Sequence, residues 1–364
     1  MICYKKSLIF KETYNVELHS NKIVLQNIKS KITHILRLEQ DSVVDWKLDK
    51  KNCNVLALGI QIDNKWEYFY MKQQNLTLLK DFLDGKVQYH DIFKLYQIVG
   101  FLGKGAFGKV FKCQNISNGR MVACKSLKQS SKYNEKDFVN EVQCMQNLKH
   151  PNLVQLKEFC KEEQCFYIFM EYVEGETLKN LIKRDSLDEK EKLIIVQQLL
   201  SVANYFHSEG YIYRDFKPEN ILFIENNVNK LKLIDFGLTI RIDEIVRNKY
   251  QVCGTLGFIA PEVFQRTYIY DFKSDIFSLG AVIYELFSGI YLLQNSDSME
   301  LQSMSKKFQF NKEMLQNIKN QTIRKLLYGI LQEDPVLRID SRQALEIFRQ
   351  ANTNDGELLT TDAD

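Results

Sequence analysis

The chain has 364 residues, 45% of them hydrophobic, which is enough to build two hydrophobic cores. A formal net charge of +3 lies too near balance to indicate nucleic acid as a partner. The eight cysteines show neither disulfide-like nor zinc-like spacing, which predicts reduced thiols in a cytoplasmic protein. Residues 276–293 are apolar enough to raise the question of a membrane span, but Glu285 and two glycines within them favour a buried core helix. No transmembrane segment is predicted.

Residues 1–92 are predicted to form a small strand-rich domain. Short β-type runs are separated by Asn, Lys and Asp clusters, and they comprise residues 4–10, 22–28, 54–62 and 65–71. A helical pattern follows over residues 75–83, with Asn75 as its expected cap. Its apolar face consists of Leu76, Leu79 and Phe82 or Leu83. Several strands followed by one helix resemble a pleckstrin-homology-like barrel in element order.

The charge of this first domain does not decide which ligand it binds. Its first ninety residues carry 14 Lys and Arg against 10 Asp and Glu. A loosely grouped basic set could face the head groups of anionic phospholipids, and it consists of Lys22, Lys29, Lys31 and Arg37. An ordinary solvated face, a protein-binding module and an autoinhibitory module are the alternatives.

The glycine-rich stretch GKGAFGKV, residues 103–110, is predicted to lie at the bend of a β-hairpin. A dinucleotide-binding fold would require a helix directly after the glycines. Here VFKCQ is extended in character, and Asn118-Gly119 predicts a tight turn before MVACKSL. Missing side chains at such a bend let backbone N–H groups approach phosphates, and Phe107 would cover the tip.

Lys125 is predicted to be a paired, partly buried cation. It follows Ala123 and Cys124 in an apolar strand, so its ammonium group needs an anion nearby. Glu141, in the helical pattern of residues 136–148, is the expected partner, although single surface lysines and glutamates are more often solvated than paired.

The stretch YRDFKPEN, residues 213–220, completes an ordered set of motifs. The glycine-rich bend, Lys125, Glu141, this stretch, DFG at 235–237 and APE at 260–262 occur in the order and approximate spacing of eukaryotic protein kinases. From about Tyr96 to Arg349 the chain therefore resembles a serine/threonine protein kinase. Tyr213 and Phe216 depart from the more usual His and Leu of the family.

The resemblance implies a fold and a division of the chain. The expected fold is α+β and bilobal, with a small β-rich lobe and a large helical lobe, preceded by the small β-rich domain. We expect the N-terminal domain at residues 1–92, the kinase domain at 93–350 and a polar tail at 351–364.

The resemblance also implies the chemistry of Mg²⁺-ATP, used to phosphorylate serine and threonine hydroxyls of protein substrates. Lys125, held by Glu141, would contact the α- and β-phosphates, Asp215 would accept the substrate proton, and Lys217 would lie beside the γ-phosphate. Asn220 and Asp235 would hold the metal. The nucleotide-contacting set would be Gly103, Lys104, Gly105, Ala106, Phe107, Gly108, Val110, Ala123, Lys125, Met170, Glu171, Val173, Glu176 and Leu222.

Several further roles follow from the same match. Lys217 and Thr255 favour serine/threonine over tyrosine specificity, and Tyr213 would pack against Phe236. Asp275 would brace the catalytic loop. An ion pair is expected between Arg338 and Glu262.

The segment between Asp235 and Glu262 departs from a phosphate-activated loop. Arg214 is the kind of cation that receives a phosphate from this segment, but Gln251 stands where related kinases often carry a phosphothreonine. We therefore expect activity without loop phosphorylation, with Gln251 or Glu244 partly satisfying Arg214. A requirement for phosphate on Tyr250 or Thr255 would contradict this.

Two other classes of protein are alternatives. A pseudokinase scaffold normally lacks the lysine or one of the two aspartates, and none of these is missing here. A lipid-directed adaptor, in which the kinase activity is secondary, would bind liposomes through residues 1–92.

Overall fold

A computed structural model describes residues 1–6, 11–49, 54–105, 108–130, 133–162, 164–245, 252–265 and 270–354. The chain forms two compact units. The first contains residues 1–146 together with Gln155–Tyr172, and the second contains Asn147–Val154 and the chain from Val173 onward. The predicted boundary at residue 92 falls inside the first unit, and it remains a prediction.

The region before residue 92 is rich in strands, as predicted. Its described elements are β1 (Ile2–Lys6), β2 (Lys11–His19), β3 (Lys22–Asn27), β4 (Thr33–Arg37), β5 (Val43–Leu48), β6 (Val55–Ile62), β7 (Lys65–Tyr70) and helix α1 (Gln73–Leu83). Strands β2, β4 and β5 were not predicted. The resemblance of this region to a pleckstrin-homology-like barrel remains a prediction.

Helix α1 begins earlier than its sequence pattern indicates. Lys72 is the N-cap residue and makes no side-chain cap, so the prediction of a cap at Asn75 is wrong. The predicted apolar stripe is confirmed, because Leu76, Leu79 and Leu83 are buried.

The four basic residues considered for lipid binding do not form one group. Lys22 pairs with Arg37 across the β3–β4 ladder, at the end of the hairpin away from its turn. Lys29 and Lys31 follow β3 at the turn itself. A strand advances about 3.3 Å per residue, so the length of the hairpin separates the two pairs.

The remaining strands of the first unit join the same sheet. They are β8 (Gln88–Tyr89), β9 (Tyr96–Lys104), β10 (Gly108–Asn115), β11 (Met121–Lys128), β12 (Leu156–Lys161) and β13 (Cys165–Glu171). The described strands form one 13-stranded sheet in the order β4-β3-β2-β1-β7-β6-β5-β8-β12-β13-β11-β10-β9. Helix α2 (Glu135–Asn147) buries Phe138, Val142 and Met145.

Strand β8 links the two parts of this sheet. It runs parallel to β5, with Val44 opposite Tyr89, and parallel to β12, with Phe159 opposite Gln88. A single cluster of buried side chains extends across both parts, from Cys3 and Trp46 to Cys113 and Phe169. The strand-rich region before residue 92 and the strands after it therefore share one hydrophobic core.

The second unit is mainly helical. Its helices are α3 (Leu178–Lys183), α4 (Glu189–Ser208), α5 (Ile242–Ile245), α6 (Phe272–Ser288), α7 (Ser298–Lys306), α8 (Gln321–Ile330) and α9 (Ser341–Asn354). Its short strand pairs are β14 (Tyr211–Ile212) with β17 (Ile240–Arg241) and β15 (Ile221–Phe223) with β16 (Leu231–Leu233). Helix α9 continues into the predicted tail as far as Asn354, and the rest of that tail lies outside the described residues.

Helix α6 corresponds to the predicted buried core helix. The Asp271 side chain accepts hydrogen bonds from the N–H groups of Lys273 and Ser274, and Gly289 ends the helix at φ 74°. Such a positive φ favours glycine, which has no Cβ to clash. In the described part of the chain, no helix combines the length and hydropathy needed to cross a membrane.

Candidate active site

Lys125 and Glu141 form a buried ion pair in the first unit, which confirms the predicted pairing. The Lys125 Nζ lies 2.6 Å from Glu141 Oε1, and the two residues are 8% and 1% exposed. The Tyr133 hydroxyl donates to the other carboxylate oxygen at 3.0 Å. Burial of a single charge would be costly, so each group compensates the other.

The glycine-rich stretch lies at the end of the β9–β10 hairpin, as predicted. Lys104 of β9 lies opposite Lys109 of β10, and the Gly105 N–H donates to the Gly108 carbonyl at 2.9 Å. A Cβ atom at Gly105 would meet nothing within 4 Å, whereas one at Gly108 would lie 2.0 Å from the Ser126 carbonyl oxygen. Gly108 is therefore required for strand packing, and Gly105 is not. Ala106 and Phe107 lie outside the described residues.

The strands around Lys125 carry further residues predicted to contact the nucleotide. Val110 is opposite Lys125 in the β10–β11 pair. Ala123 is opposite Met170 in the β11–β13 pair, and both are largely buried. Glu171 follows Met170 and is partly exposed. The fold of the first unit thus places these four side chains on three neighbouring strands.

Asp215, Lys217 and Thr255 form a hydrogen-bonded triangle in the second unit. Lys217 Nζ donates to Asp215 Oδ2 at 2.7 Å and to Thr255 Oγ1 at 2.9 Å. The Thr255 hydroxyl donates to Asp215 Oδ1 at 2.7 Å. Burial raises the pKa of Asp215 above its ordinary value, and the Lys217 ammonium partly opposes this effect. Both carboxylate oxygens are therefore oriented by donors.

Asn220 and Asp235 lie at the same end of the β15–β16 hairpin. The Ile234 N–H, directly before Asp235, donates to the Asn220 carbonyl at 2.9 Å. Asn220 Nδ2 donates to the backbone oxygen of Asp215 at 3.0 Å and to its Oδ2 at 2.9 Å. This orientation leaves Oδ1 as the oxygen that Asn220 can offer to a cation. A carboxylate and an amide oxygen are hard donors, so this pair fits Mg²⁺.

Three other residues predicted to contact the nucleotide belong to the second unit. Val173 is largely buried. Leu222, in β15, is bridged to Thr177. The Glu176 carboxylate accepts a hydrogen bond from the Arg184 guanidinium, so its predicted contact with the nucleotide would compete with that ion pair.

Asp275 fixes the backbone that precedes Asp215, which confirms its predicted role. Its carboxylate accepts hydrogen bonds from the N–H groups of Tyr213 at 2.7 Å and Arg214 at 2.8 Å. Arg214 has φ 69°, an uncommon conformation for a residue with a side chain, and the bond from its N–H supports this geometry.

A second predicted ion pair is also present. Arg338, 1% exposed, donates to both Glu262 oxygens, at 2.6 and 3.0 Å. This bidentate pair anchors the segment that follows Thr255.

Tyr213 and Phe216, the two departures from the family pattern, pack against each other. Both are fully buried, with ring centroids 4.8 Å apart. Tyr213 also meets Phe236 edge to face at 6.4 Å and donates its hydroxyl hydrogen bond to the Ile234 carbonyl. The predicted packing of Tyr213 against Phe236 is confirmed, and the two rings are perpendicular.

Arg214 has partners that sequence reasoning missed. Its Nε donates to the Leu238 carbonyl at 2.5 Å, and its guanidinium carbon lies 5.6 Å from the centre of the Tyr270 ring. The Tyr270 hydroxyl donates to the Cys253 carbonyl. Tyr270 lies between the APE motif and the start of α6 and belongs to no motif, so no local sequence pattern indicates this contact. Tyr250 and Gln251 lie outside the described residues, and the pairing of Glu244 with Arg214 remains a prediction.

Comparisons with known proteins agree with this arrangement. A family model described as protein kinase domain matches residues 96–347. CBL-interacting protein kinase 10 of Oryza sativa subsp. japonica is 33% identical over 261 residues, which cover 70% of this chain and 56% of that protein. CBL-interacting protein kinase 15 of the same organism is 34% identical over 262 residues, covering 70% and 59%.

A further relative comes from another plant. CBL-interacting serine/threonine-protein kinase 5 of Arabidopsis thaliana is 34% identical over 216 residues, covering 58% of this chain and 48% of that protein. The chain thus spans about half the length of these curated relatives. With the family model matched over most of its length, and with the motif residues in the described geometry, the chain belongs to the protein kinase family.

Proposed function

We propose that this protein is a serine/threonine protein kinase that transfers the γ-phosphate of Mg²⁺-ATP to hydroxyl groups of protein substrates. The observation that carries the proposal is the triangle of Asp215, Lys217 and Thr255. It presents an oriented carboxylate beside an ammonium group, which suits proton removal from a hydroxyl next to a phosphate.

Asp215 acts as the base for the substrate hydroxyl. Its two oxygens are held by Lys217 and Thr255, so the carboxylate cannot rotate freely when the hydroxyl arrives. Lys217 contributes positive charge beside the transferred phosphate. Both Lys217 and Thr255 are typical of serine/threonine rather than tyrosine kinases, and the Arabidopsis relative is named a serine/threonine-protein kinase.

Lys125 binds the α- and β-phosphates of ATP. Glu141 keeps the ammonium group oriented, since the two charged groups lie 2.6 Å apart and the Tyr133 hydroxyl bonds the second carboxylate oxygen. The backbone of the glycine-rich hairpin approaches the phosphates at Gly103 and Gly105, where no neighbouring atom occupies the space of a side chain.

The adenine contacts are assigned to the strands beside Lys125 and to the chain that follows β13. Val110, Ala123 and Leu222 bind the faces of the ring, and Met170 lies behind it. The backbone groups of Glu171 and Val173 bond its edge. Burial of Ala123 and Met170, on neighbouring strands of the first unit, supports an apolar setting for a flat base.

Asn220, through its Oδ1, and Asp235, through its carboxylate, would hold the magnesium ion. When bound, the ion neutralises charge on the phosphate oxygens. The bonds from Asn220 Nδ2 to Asp215 make the position of the amide depend on the position of the base.

The finer assignments of partner and location are also proposals. The protein acts in the cytoplasm, which the seven described cysteines, all free thiols, support. Residues 1–92 regulate or target the kinase domain at 93–350. A phospholipid site made by all four basic residues is not favoured by their separation into two pairs.

The test is transfer of phosphate from Mg²⁺-ATP to a generic serine- and threonine-containing protein by the phosphatase-treated full chain. Asp215→Asn should abolish most of the activity, since base catalysis contributes about 10²–10⁴-fold. Asp81→Asn, at an exposed position of α1, is the matched control and should retain activity. Equal activity in wild type and Asp215→Asn would overturn the assignment. Absence of both transfer and ATP binding in the wild type would overturn the proposed function.

A further inference from the structure

The strand-rich region before residue 92 contacts the C-terminal end of helix α2, the helix that carries Glu141. Gln146, in the last turn of α2, donates from Nε2 to the Gly85 carbonyl at 2.6 Å. Its Oε1 accepts a hydrogen bond from Gln40 Nε2 at 3.0 Å. Gln143, one turn earlier, donates to Gln40 Oε1 at 3.4 Å. One side chain of the first region thus bonds two residues of α2.

The segments that contain Gln40 and Gly85 are themselves bonded to the sheet. Gln88 Nε2 donates to the Gln40 carbonyl at 2.7 Å, and Gln88 Oε1 accepts from the Lys161 N–H at 3.0 Å. Asp84, directly before Gly85, forms an ion pair with Lys80 of α1 at 3.0 Å. Lys80 also pairs with the buried carboxylate of Glu158 in β12. The segments that carry the two groups holding α2 are therefore themselves bonded to the sheet.

The packing around α2 has a gap on the side that faces Gln40. A cavity of about 250 Å³ lies between the helix residues Phe138, Val139 and Val142 and the segment at Gln40 and Asp41. Well-packed interiors resist displacement, and an open cavity does not. The side-chain hydrogen bonds of Gln146 therefore restrict the helix on the side where this gap interrupts its packing.

Displacement of α2 would separate Glu141 from Lys125. Glu141 lies five residues before Gln146 on the same 13-residue helix, about 7.5 Å along its axis at 1.5 Å per residue. A rotation or slide that breaks the Gln146 bonds also moves the Glu141 carboxylate. The 2.6 Å contact with Lys125 tolerates little movement.

We propose that the region before residue 92 is a built-in positioning element for the catalytic ion pair. Gln40 and the Gly85 carbonyl hold Gln146 so that α2 keeps Glu141 on Lys125. Gln40 and Gln146 are positioning residues that act through Glu141, and this assignment rests on the proposed kinase activity. Kinase activity then needs no separate activator to dock on this end of α2.

The experiment compares three variants of the full chain with wild type. Gln146→Met keeps the length of the side chain and removes both hydrogen bonds, and Gln40→Leu removes the partner on the other side. Each should lower kcat/KM for ATP about tenfold, since two hydrogen bonds of ordinary strength bias the helix position. Gln74→Met, an exposed glutamine of α1 with no such contact, should stay within about twofold of wild type.

A double-mutant cycle separates positioning from general destabilisation. In a Glu141→Gln background, Gln146→Met should cause less than about a twofold further loss, because the pair through which it acts is already gone. The same tenfold loss in both backgrounds would overturn the proposal. So would wild-type kinetics in Gln146→Met.

Hydrogen exchange gives a readout that does not depend on activity. Backbone amides of residues 141–147 should exchange faster in Gln146→Met than in wild type or Gln74→Met. If the wild type transfers no phosphate, the proposed function fails, and the exchange rates alone decide the positioning role. Unchanged exchange in Gln146→Met would refute it.

Discussion

The ammonium of Lys125 and the carboxylate of Glu141 are both nearly buried, and each is tolerated because of the other. The sequence indicated this pair through an apolar strand and a helical pattern, and the structure adds the Tyr133 hydroxyl as a third member. No local sequence feature links Tyr133 to Glu141, so side-chain proximity had to come from the folded chain.

Replacing Lys125 by Met should reduce kcat/KM for ATP at least as much as Asp215→Asn does, on the order of 10³-fold or more, because positioning contributes more than base catalysis. Lys128→Met, on an exposed position of the same strand, is the control and should change the rate less than about twofold. Steady-state kinetics with phosphatase-treated protein measures both. Higher residual activity in Lys125→Met than in Asp215→Asn would contradict the ranking.

Tyr270 gives Arg214 a neutral aromatic partner, whereas an arginine at this point of the kinase pattern is expected to receive a phosphate. Tyr270→Leu removes the aromatic ring, a cation–π contact worth about 0.5–2 kcal/mol, and should lower kcat by roughly 3- to 30-fold. Tyr270→Phe keeps the ring and loses only the bond to the Cys253 carbonyl, so its loss should be smaller. Equal losses in the two variants would assign the effect to the hydroxyl group instead.

At the scale of elements, the glycine-rich hairpin contains two glycines with different requirements. Gly108→Ala would place a Cβ against the Ser126 carbonyl and should destabilise the protein by about 1–3 kcal/mol, as overpacking does. Gly105→Ala should leave the unfolding free energy within about 0.5 kcal/mol and raise KM for ATP. Thermal unfolding and ATP kinetics of both variants test this pair. Comparable destabilisation by both changes would contradict it.

The attachment of α1 to β12 should depend on pH through Glu158. Burial raises the pKa of this carboxyl to about 7, and the Lys80 ammonium partly opposes the rise. The folded state therefore binds the proton more tightly than the unfolded chain. The contribution of the protonated Glu158 carboxyl to folding stability is complete below the ordinary pKa of a glutamate, and it is lost as pH rises through about 7.

Glu158→Gln should accordingly flatten the fall in melting temperature between pH 5 and pH 8. Glu162→Gln, at an exposed position just beyond the end of β12, is the matched control and should keep the wild-type slope. Thermal unfolding across this pH range measures the difference. Identical slopes in wild type and Glu158→Gln would show that the carboxyl does not titrate there.

The sequence predicted the elements whose pattern is local and missed those whose pattern depends on distant partners. Strand β5 contains the buried Asp45, which interrupts its apolar run and suggests a loop. Its carboxylate is satisfied by the Tyr68 hydroxyl at 2.7 Å and by Lys94, both far along the chain. Strand β2 buries only Tyr14 and Val16 among exposed polar residues, which is a weak signal. The kinase motifs were predictable because their order and approximate spacing resemble those of a known family.

At the scale of the molecule, the strand-rich region and the strands after residue 92 cannot be treated as independent parts. Their shared core includes Tyr96, Cys113, Val122 and Phe169 on one side and Trp46 and Tyr89 on the other. This continuity had no sequence signature, because the two-residue strand β8 is too short to show a pattern.

A chain that begins at residue 93 should therefore fail to give a stable kinase domain. Truncation would expose apolar side chains of the shared core, and such surfaces cause aggregation. The yield of soluble monomer and the cooperativity of thermal unfolding should both fall relative to the full chain. A truncated protein that unfolds cooperatively at the wild-type temperature would show that the core can be divided.

The pairing of β8 with β12 also has a consequence for synthesis on the ribosome. Gln88 emerges roughly 70 residues before its partner Phe159, several seconds earlier at ordinary rates of about 5–20 residues per second. During that interval the nascent chain carries an uncapped sheet edge, with backbone N–H and C=O groups that another strand could bind. At this stage of synthesis, pairing of β8 with a strand of a second nascent chain competes with its pairing with β12.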